Sequence, residues 1–196
     1  MAYCSVSDVA LALNLTANTG EDDAHLLRIV EAACNWIDRY CNVPAGGFAA
    51  TADSTRYYIA NDVRGNDLLL DVPLLAVTSV TNGDMGTVPS NGYRLWPING
   101  LRKWRIQLLS TYGSVWDVAE DDDTVTIVGR FGYSTTPPAA VREAAIMLAG
   151  WLFKRYQAAL QDAAFSPELG QMTYSEAMPK QVRALLEPFR LGSRML

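Results

Sequence analysis

The sequence has a single histidine, His25, among 196 residues. A base poised near neutral pH needs an orienting partner and a nearby nucleophile, and the sequence signals neither. His25 stands beside Glu21, Asp22 and Asp23 and reads as a solvated surface residue. HExxH, GxSxG, a Walker phosphate loop and GxGxxG are all missing, so no enzyme signature, cofactor or metal site is expected. The three cysteines, Cys4, Cys34 and Cys41, are an odd set without close metal-type pairing, which argues against a disulfide framework or a zinc site. Cys34 and Cys41, seven residues apart, share one helical face as small core residues. The acidic run Glu120–Asp123 lacks the alternating ligands of a calcium loop and reads as a solvated turn. Tyr3–Asp8 is polar, so no signal peptide is expected. The longest apolar run, Ala144–Phe153, is about half of the roughly 20 residues a membrane span needs. The expectation is a soluble protein, made in the cytoplasm, with no membrane partner.

Hydrophobic residues make up 49% of the chain and charged residues 19%, an ordinary globular balance. The formal net charge of -5 repels nucleic acid phosphates. From Ala139 onward seven Lys or Arg residues outnumber five Asp or Glu; this part is +2 and the remainder -7. A basic tail on an acidic body suits docking between protein surfaces.

The periodicity changes twice along the chain. Ser5 or Ser7 caps a short helix through about Leu15, and Thr19–Asp23 introduces a second, with Leu26, Val30, Ala33, Ile37 and Tyr40 at helical spacing. Pro44, Gly46 and Gly47 end it. Between Thr55 and Gly132 the period is two, and strands are predicted at Thr55–Ile59, Leu68–Val72, Ala76–Thr81, Tyr93–Trp96, Arg105–Leu109 and Thr124–Val128. The last stops at Gly129, and a Gly/Ser/Thr corner leads to Pro137 and Pro138, which open a helix to about Gln161. Pro179 begins a short helix that Pro188 ends or kinks. The expected fold is α+β: a helical bundle core, an inserted small antiparallel β domain and an extended C-terminal arm. The boundaries are N-terminal helices over 1–54, the β region over 55–132, the long core helix over 133–165 and the arm over 166–196.

The middle of the long helix, AAIMLAGWLF, is apolar all round, whereas a surface helix shows a polar face. Either its own domain encloses it, or one side rests on a neighbouring subunit through Trp151, Phe153 and Tyr156. The C-terminal stripe of Val182, Leu185, Leu186 and Phe189, with Arg190, suits a partner's groove or its own core. The aromatic residues of the β region, with Arg94, Arg102, Lys103 and Arg105 among them, leave open a carbohydrate- or nucleic-acid-binding module. Core or intersubunit packing is the plainer use of the same rings.

The order of SVSDVALAL, IDRYCNVP, LLLDVPLLAVTSVTNGD, TVTIVGRFGYSTTPPAAVREAAIMLAGWLFKR and MPKQVRALLEPFR covers most of the chain. It resembles the head-to-tail connector, or adaptor, proteins of long-tailed bacteriophages and related gene-transfer particles. Single pieces are common patterns; their order is more specific. The resemblance implies a structural virion protein at the head-tail junction. It also implies a homo-oligomeric ring, expected to be dodecameric, bound beneath the portal protein. Such a ring extends the channel through which genomic DNA passes without sequence-specific binding, and it offers a platform for the next neck or tail component. Another neck part, a stopper or tail-completion protein, would share this assembly role. In these terms Trp151, Phe153 and Tyr156 are the expected intersubunit residues, and Val182, Leu185, Leu186, Phe189 and Arg190 the expected portal contacts.

Overall fold

A computed structural model describes residues 2–15, 20–110, 115–118, 124–161 and 178–192. Among these are four helices, α1 (Val6–Ala12), α2 (Gly20–Cys41), α3 (Ala139–Gln161) and α4 (Lys180–Leu186). Six strands lie between α2 and α3: β1 (Ser54–Tyr58), β2 (Val63–Arg64), β3 (Asp67–Thr81), β4 (Tyr93–Trp96), β5 (Lys103–Leu108) and β6 (Val125–Phe131). The architecture is α+β. The described chain separates into a helical unit, Met1–Gly46 with Pro137–Gly192, and a β unit, Gly47–Thr136.

In the helical unit, Ser5 caps α1. Its hydroxyl accepts from the Asp8 amide, while the Asp8 carboxylate takes the Ser5 N–H, a reciprocal capping box. Leu26, Val30, Ala33, Ile37 and Cys41 form the buried stripe of α2. The helix α3 packs against α1, α2 and α4, burying Val141, Ala144, Ala145, Leu148 and Ala149. These three neighbours explain why the first half of α3 is apolar on so many sides. Gly150 lies against Leu13 of the segment after α1.

The sheet of the β unit is antiparallel, in the order β1-β6-β3-β5-β4, with β2 pairing β3 as a short hairpin. Two of the expected strands are one: Leu68–Val72 and Ala76–Thr81 run together through Pro73 as the 15-residue β3. The first part of β3 pairs with β5 and the last part with β6. The register shifts near Leu74 and Ala76, where the change of partner tolerates a proline without an N–H. Strand β6 also runs past the expected stop at Gly129 to Phe131. At Gly129 the backbone of β3 comes so close that a Cβ would collide with the Ala76 carbonyl oxygen. Glycine there serves close approach within the sheet and does not end it. Leu68, Leu70, Leu74, Ile106, Val125 and Ile127 fill the core with Trp116, whose indole Nε1 donates to the Asn66 carbonyl at 2.9 Å. The short strand β2 lacked enough residues to show a period.

Candidate functional site

The Gly-Tyr-Ser corner carries no reactive group, and its geometry explains its sequence. The amides of Tyr133 and Ser134 both donate to the Gly47 carbonyl, at 2.7 and 3.2 Å, and Ala50 N–H donates to the Ser134 carbonyl at 3.0 Å. The Ser134 hydroxyl donates to the Phe48 carbonyl, and the rings of Phe48 and Tyr133 lie 4.9 Å apart. A Cβ on Gly132 would stand 2.6 Å from Cβ of Ala50 and 2.8 Å from the Gly47 oxygen. The corner is therefore a clasp joining the segment that enters the β unit to the one that leaves it.

His25 is not the solvated residue its acidic neighbours suggest. Its ring packs 4.1 Å from Tyr156 and 6.2 Å from Phe153, and its Nε2 is buried with no hydrogen-bond partner among the described residues. The long-range pairing of α2 with α3 overrides the local charge pattern. Trp151 belongs to the same seam and meets Trp36 edge-on at 6.1 Å, with the Arg155 guanidinium 5.4 Å from its centroid. Trp151 and Phe153 are thus half-buried against α2, while Tyr156 remains 45% exposed.

The C-terminal residues divide. Val182 and Leu186 are fully buried in the helical unit, where α4 packs on α3 and α2. Leu185 and Phe189 are half-buried and Arg190 is exposed. Arg190 lies 5.1 Å from the Tyr40 ring centroid and 3.3 Å from Glu187, which in turn accepts from the Tyr40 hydroxyl at 2.7 Å. The tie to α2 extends to Leu191, whose N–H donates to the Cys41 carbonyl at 2.8 Å. The described part of the C-terminal segment is a packed element. Residues 162–177, which precede it in the expected arm, lie outside the described residues.

Among the described aromatic residues of the β region, Trp104 and Tyr133 line one open pocket with Arg102, and the others are dispersed. Tyr58, Trp116 and Phe131 are in the core, and Tyr57 is 68% exposed at the sheet edge. Tyr112 and the acidic run 120–123 lie outside the described residues. Two of the nearby arginines are engaged within the fold. Arg102 lies 3.8 Å from the Tyr133 centroid and Arg105 5.0 Å from that of Trp96, and Arg105 also pairs with Asp67 at 2.8 Å. Stacking on a base or sugar would have to displace these partners.

One buried carboxylate was not anticipated. Asp38 on α2 is 5% exposed and accepts from the Tyr3 hydroxyl and from the Gly46 amide, the latter at 2.9 Å. Burial pushes its pKa above the usual carboxylate value, and these two hydrogen bonds oppose the rise. Its helical spacing, one residue past the core stripe, was the available signal. The thiols of Cys4, Cys34 and Cys41 are free and buried, and burial pushes those of Cys4 and Cys41 up to about 12, so they are protonated and unreactive. Among the described residues no group of three or more His, Cys, Asp or Glu is placed to hold a metal ion. No helix among them is long and apolar enough to cross a membrane.

The fold has close counterparts. A chain from the neck of an empty gene transfer agent (GTA) particle computed with C6 symmetry superposes with a TM-score of 0.64, at 23% identity, covering 96% of this chain and 92% of that one. A chain from the neck of the native particle computed with C12 symmetry gives 0.55 at 21% identity, covering 96% and 94%. A chain from the native virion gives 0.55 at 20% identity, covering 94% and 88%. No curated protein matches the sequence. The head completion protein model matches residues 3–191, and the chain therefore belongs to the head completion protein family, as a structural component of the virion and not an enzyme.

Proposed function

We propose that this head completion protein is a neck adaptor. Copies assemble into a ring, expected to be dodecameric, beneath the portal protein. The ring extends the channel for genomic DNA and forms the platform for the next neck or tail component. The observation that supports this most is the family match over residues 3–191 together with a fold shared end to end with chains from gene transfer agent necks. A net charge of -5 suits a channel wall that lets DNA slide, because like charges do not hold it.

In this reading the outer edge of the α2–α3 seam, at Trp151, Phe153 and Tyr156, meets the neighbouring subunit. These rings are only partly covered by α2 and would gain by further burial. Portal contact falls to the C-terminal segment: Leu185, Phe189 and Arg190 offer accessible atoms, while Val182 and Leu186 anchor the segment to the helical unit. The test is to mix the purified protein with isolated portal rings and measure the mass of the complex. An added mass equal to a full ring of copies supports the adaptor role. Binding only to a preformed portal–adaptor complex would instead mark a stopper, and binding to neither would refute the proposal.

A further inference from the structure

We infer that a second, outward stripe of α2 is the seat for an acidic segment of the neighbouring copy, an inference that rests on the ring reading above. The inward stripe of α2 is fully used by the core. The other stripe, Ala32, Asn35, Trp36, Arg39 and Tyr40, repeats at the spacing of one helical face and lines a groove of about 530 Å3. Ala32, Asn35 and Arg39 are exposed, so the groove is open along its length.

Its chemistry specifies the occupant. The floor is aromatic, and the cations around it are Arg39 on α2, Arg155 over Trp151 and Arg190 over Tyr40. The nearby acid Glu187 is already engaged by the Tyr40 hydroxyl and Arg190. Guanidinium groups held against rings are partly stripped of water and keep their outer N–H donors, which favours carboxylates. The chain supplies such carboxylates itself, because everything before Ala139 carries a net charge of -7. The densest acid runs in that part are 21–23 and 120–123. A closed ring of identical subunits joins one face to a different face of the next copy, so a basic groove and an acidic segment on the same chain are a matched pair. The groove is also continuous with the Trp151 edge, through Trp36.

The test uses three substitutions at exposed positions of the full-length protein. Arg39→Glu reverses the charge, Ala32→Trp fills the groove, and Arg39→Lys keeps the charge. Assembly is followed by mass photometry, alone and on portal rings, with thermal unfolding measured alongside. Wild type and Arg39→Lys should form rings at the same concentration. Arg39→Glu and Ala32→Trp should unfold at the wild-type temperature yet need about tenfold more protein or more to assemble, equal to about 1.4 kcal/mol. Charge reversal of residues 21–23 or of residues 120–123, made separately in the Arg39→Glu background, should restore assembly in one of the two cases, and rescue by neither would overturn the inference. Normal rings from both folded variants would overturn the inference alone, as would normal rings that fail only to bind portal. Absence of rings from wild type under both conditions would overturn the ring reading itself.

Discussion

The Asp8 carboxylate accepts two hydrogen bonds from Nη2 of Arg142, at 2.9 and 3.0 Å, and so ties the first helix to the central one. Hydrogen bonds from the Ser5 amide and hydroxyl, and then from Arg142, hold the Asp8 pKa below its usual value of 3.8. A carboxylate whose pKa is lowered in the folded state stabilises above its unfolded value and loses that contribution as pH falls through the folded value. Arg142 is more than half exposed, so solvent screens the pair. Arg142→Ala should cost roughly 0.5–1 kcal/mol at pH 7, and the cost should shrink progressively as pH falls below 3.8 through the lowered folded value, measured by urea unfolding across that range.

Asp38 should behave in the opposite sense. Its folded pKa lies above 3.8, because burial penalises the charged form more than Tyr3 and Gly46 favour it. Its contribution is fully present below the unfolded value and fades as pH rises through the raised one. Asp38→Asn keeps an acceptor for the Gly46 amide and removes the buried charge, so it should flatten this part of the stability profile. Asp38→Ala leaves the Tyr3 hydroxyl and Gly46 N–H without their partner and should cost about 1–3 kcal/mol. Denaturation of both variants between pH 4 and pH 8 checks the contrast.

Gly129→Ala and Gly132→Ala should each destabilise the β unit by several kcal/mol or prevent folding. In each case backbone or buried atoms must move to admit one methyl group, the mechanism that makes overpacking costly. Gly65→Ala is the contrast: its Cβ meets open space, and the cost is only that of a left-handed backbone, φ +61, of about 1–2 kcal/mol. Thermal unfolding of the three variants should rank them in that order.

Trp116 is 2% exposed and bonded to the Asn66 carbonyl in the sheet core. Trp116→Ala should cost about 3–5 kcal/mol, and Trp116→Phe less, with the unpaired Asn66 carbonyl as the remainder. Calorimetry of the two variants separates the packing and hydrogen-bond contributions.

The local signals in the sequence carried far. Ser5 as a cap, the Pro137–Pro138 opening of α3 and Pro179 before α4 all act within one turn of chain, where propensity decides the outcome. Readings that depended on distant partners fared differently. Pro73 looked like a break between strands because its partner change, from β5 to β6, is a property of the sheet. His25 looked solvated because Phe153 and Tyr156 reach it from more than a hundred residues away. Asp38 was hidden for the same reason, since Tyr3 and Gly46 converge on it only after the helical unit forms. The groove on α2 was invisible as such: Ala32, Asn35, Trp36, Arg39 and Tyr40 are an ordinary mixed stripe until α3 and the C-terminal segment leave it open.

Cryo-electron microscopy of particle necks with this protein present and deleted probes the whole argument in one comparison. A closed ring of this fold joined to the portal, lost with its tail-side neighbours on deletion, is the expected image. Intact necks without the protein, or single copies scattered away from the DNA exit, would contradict it.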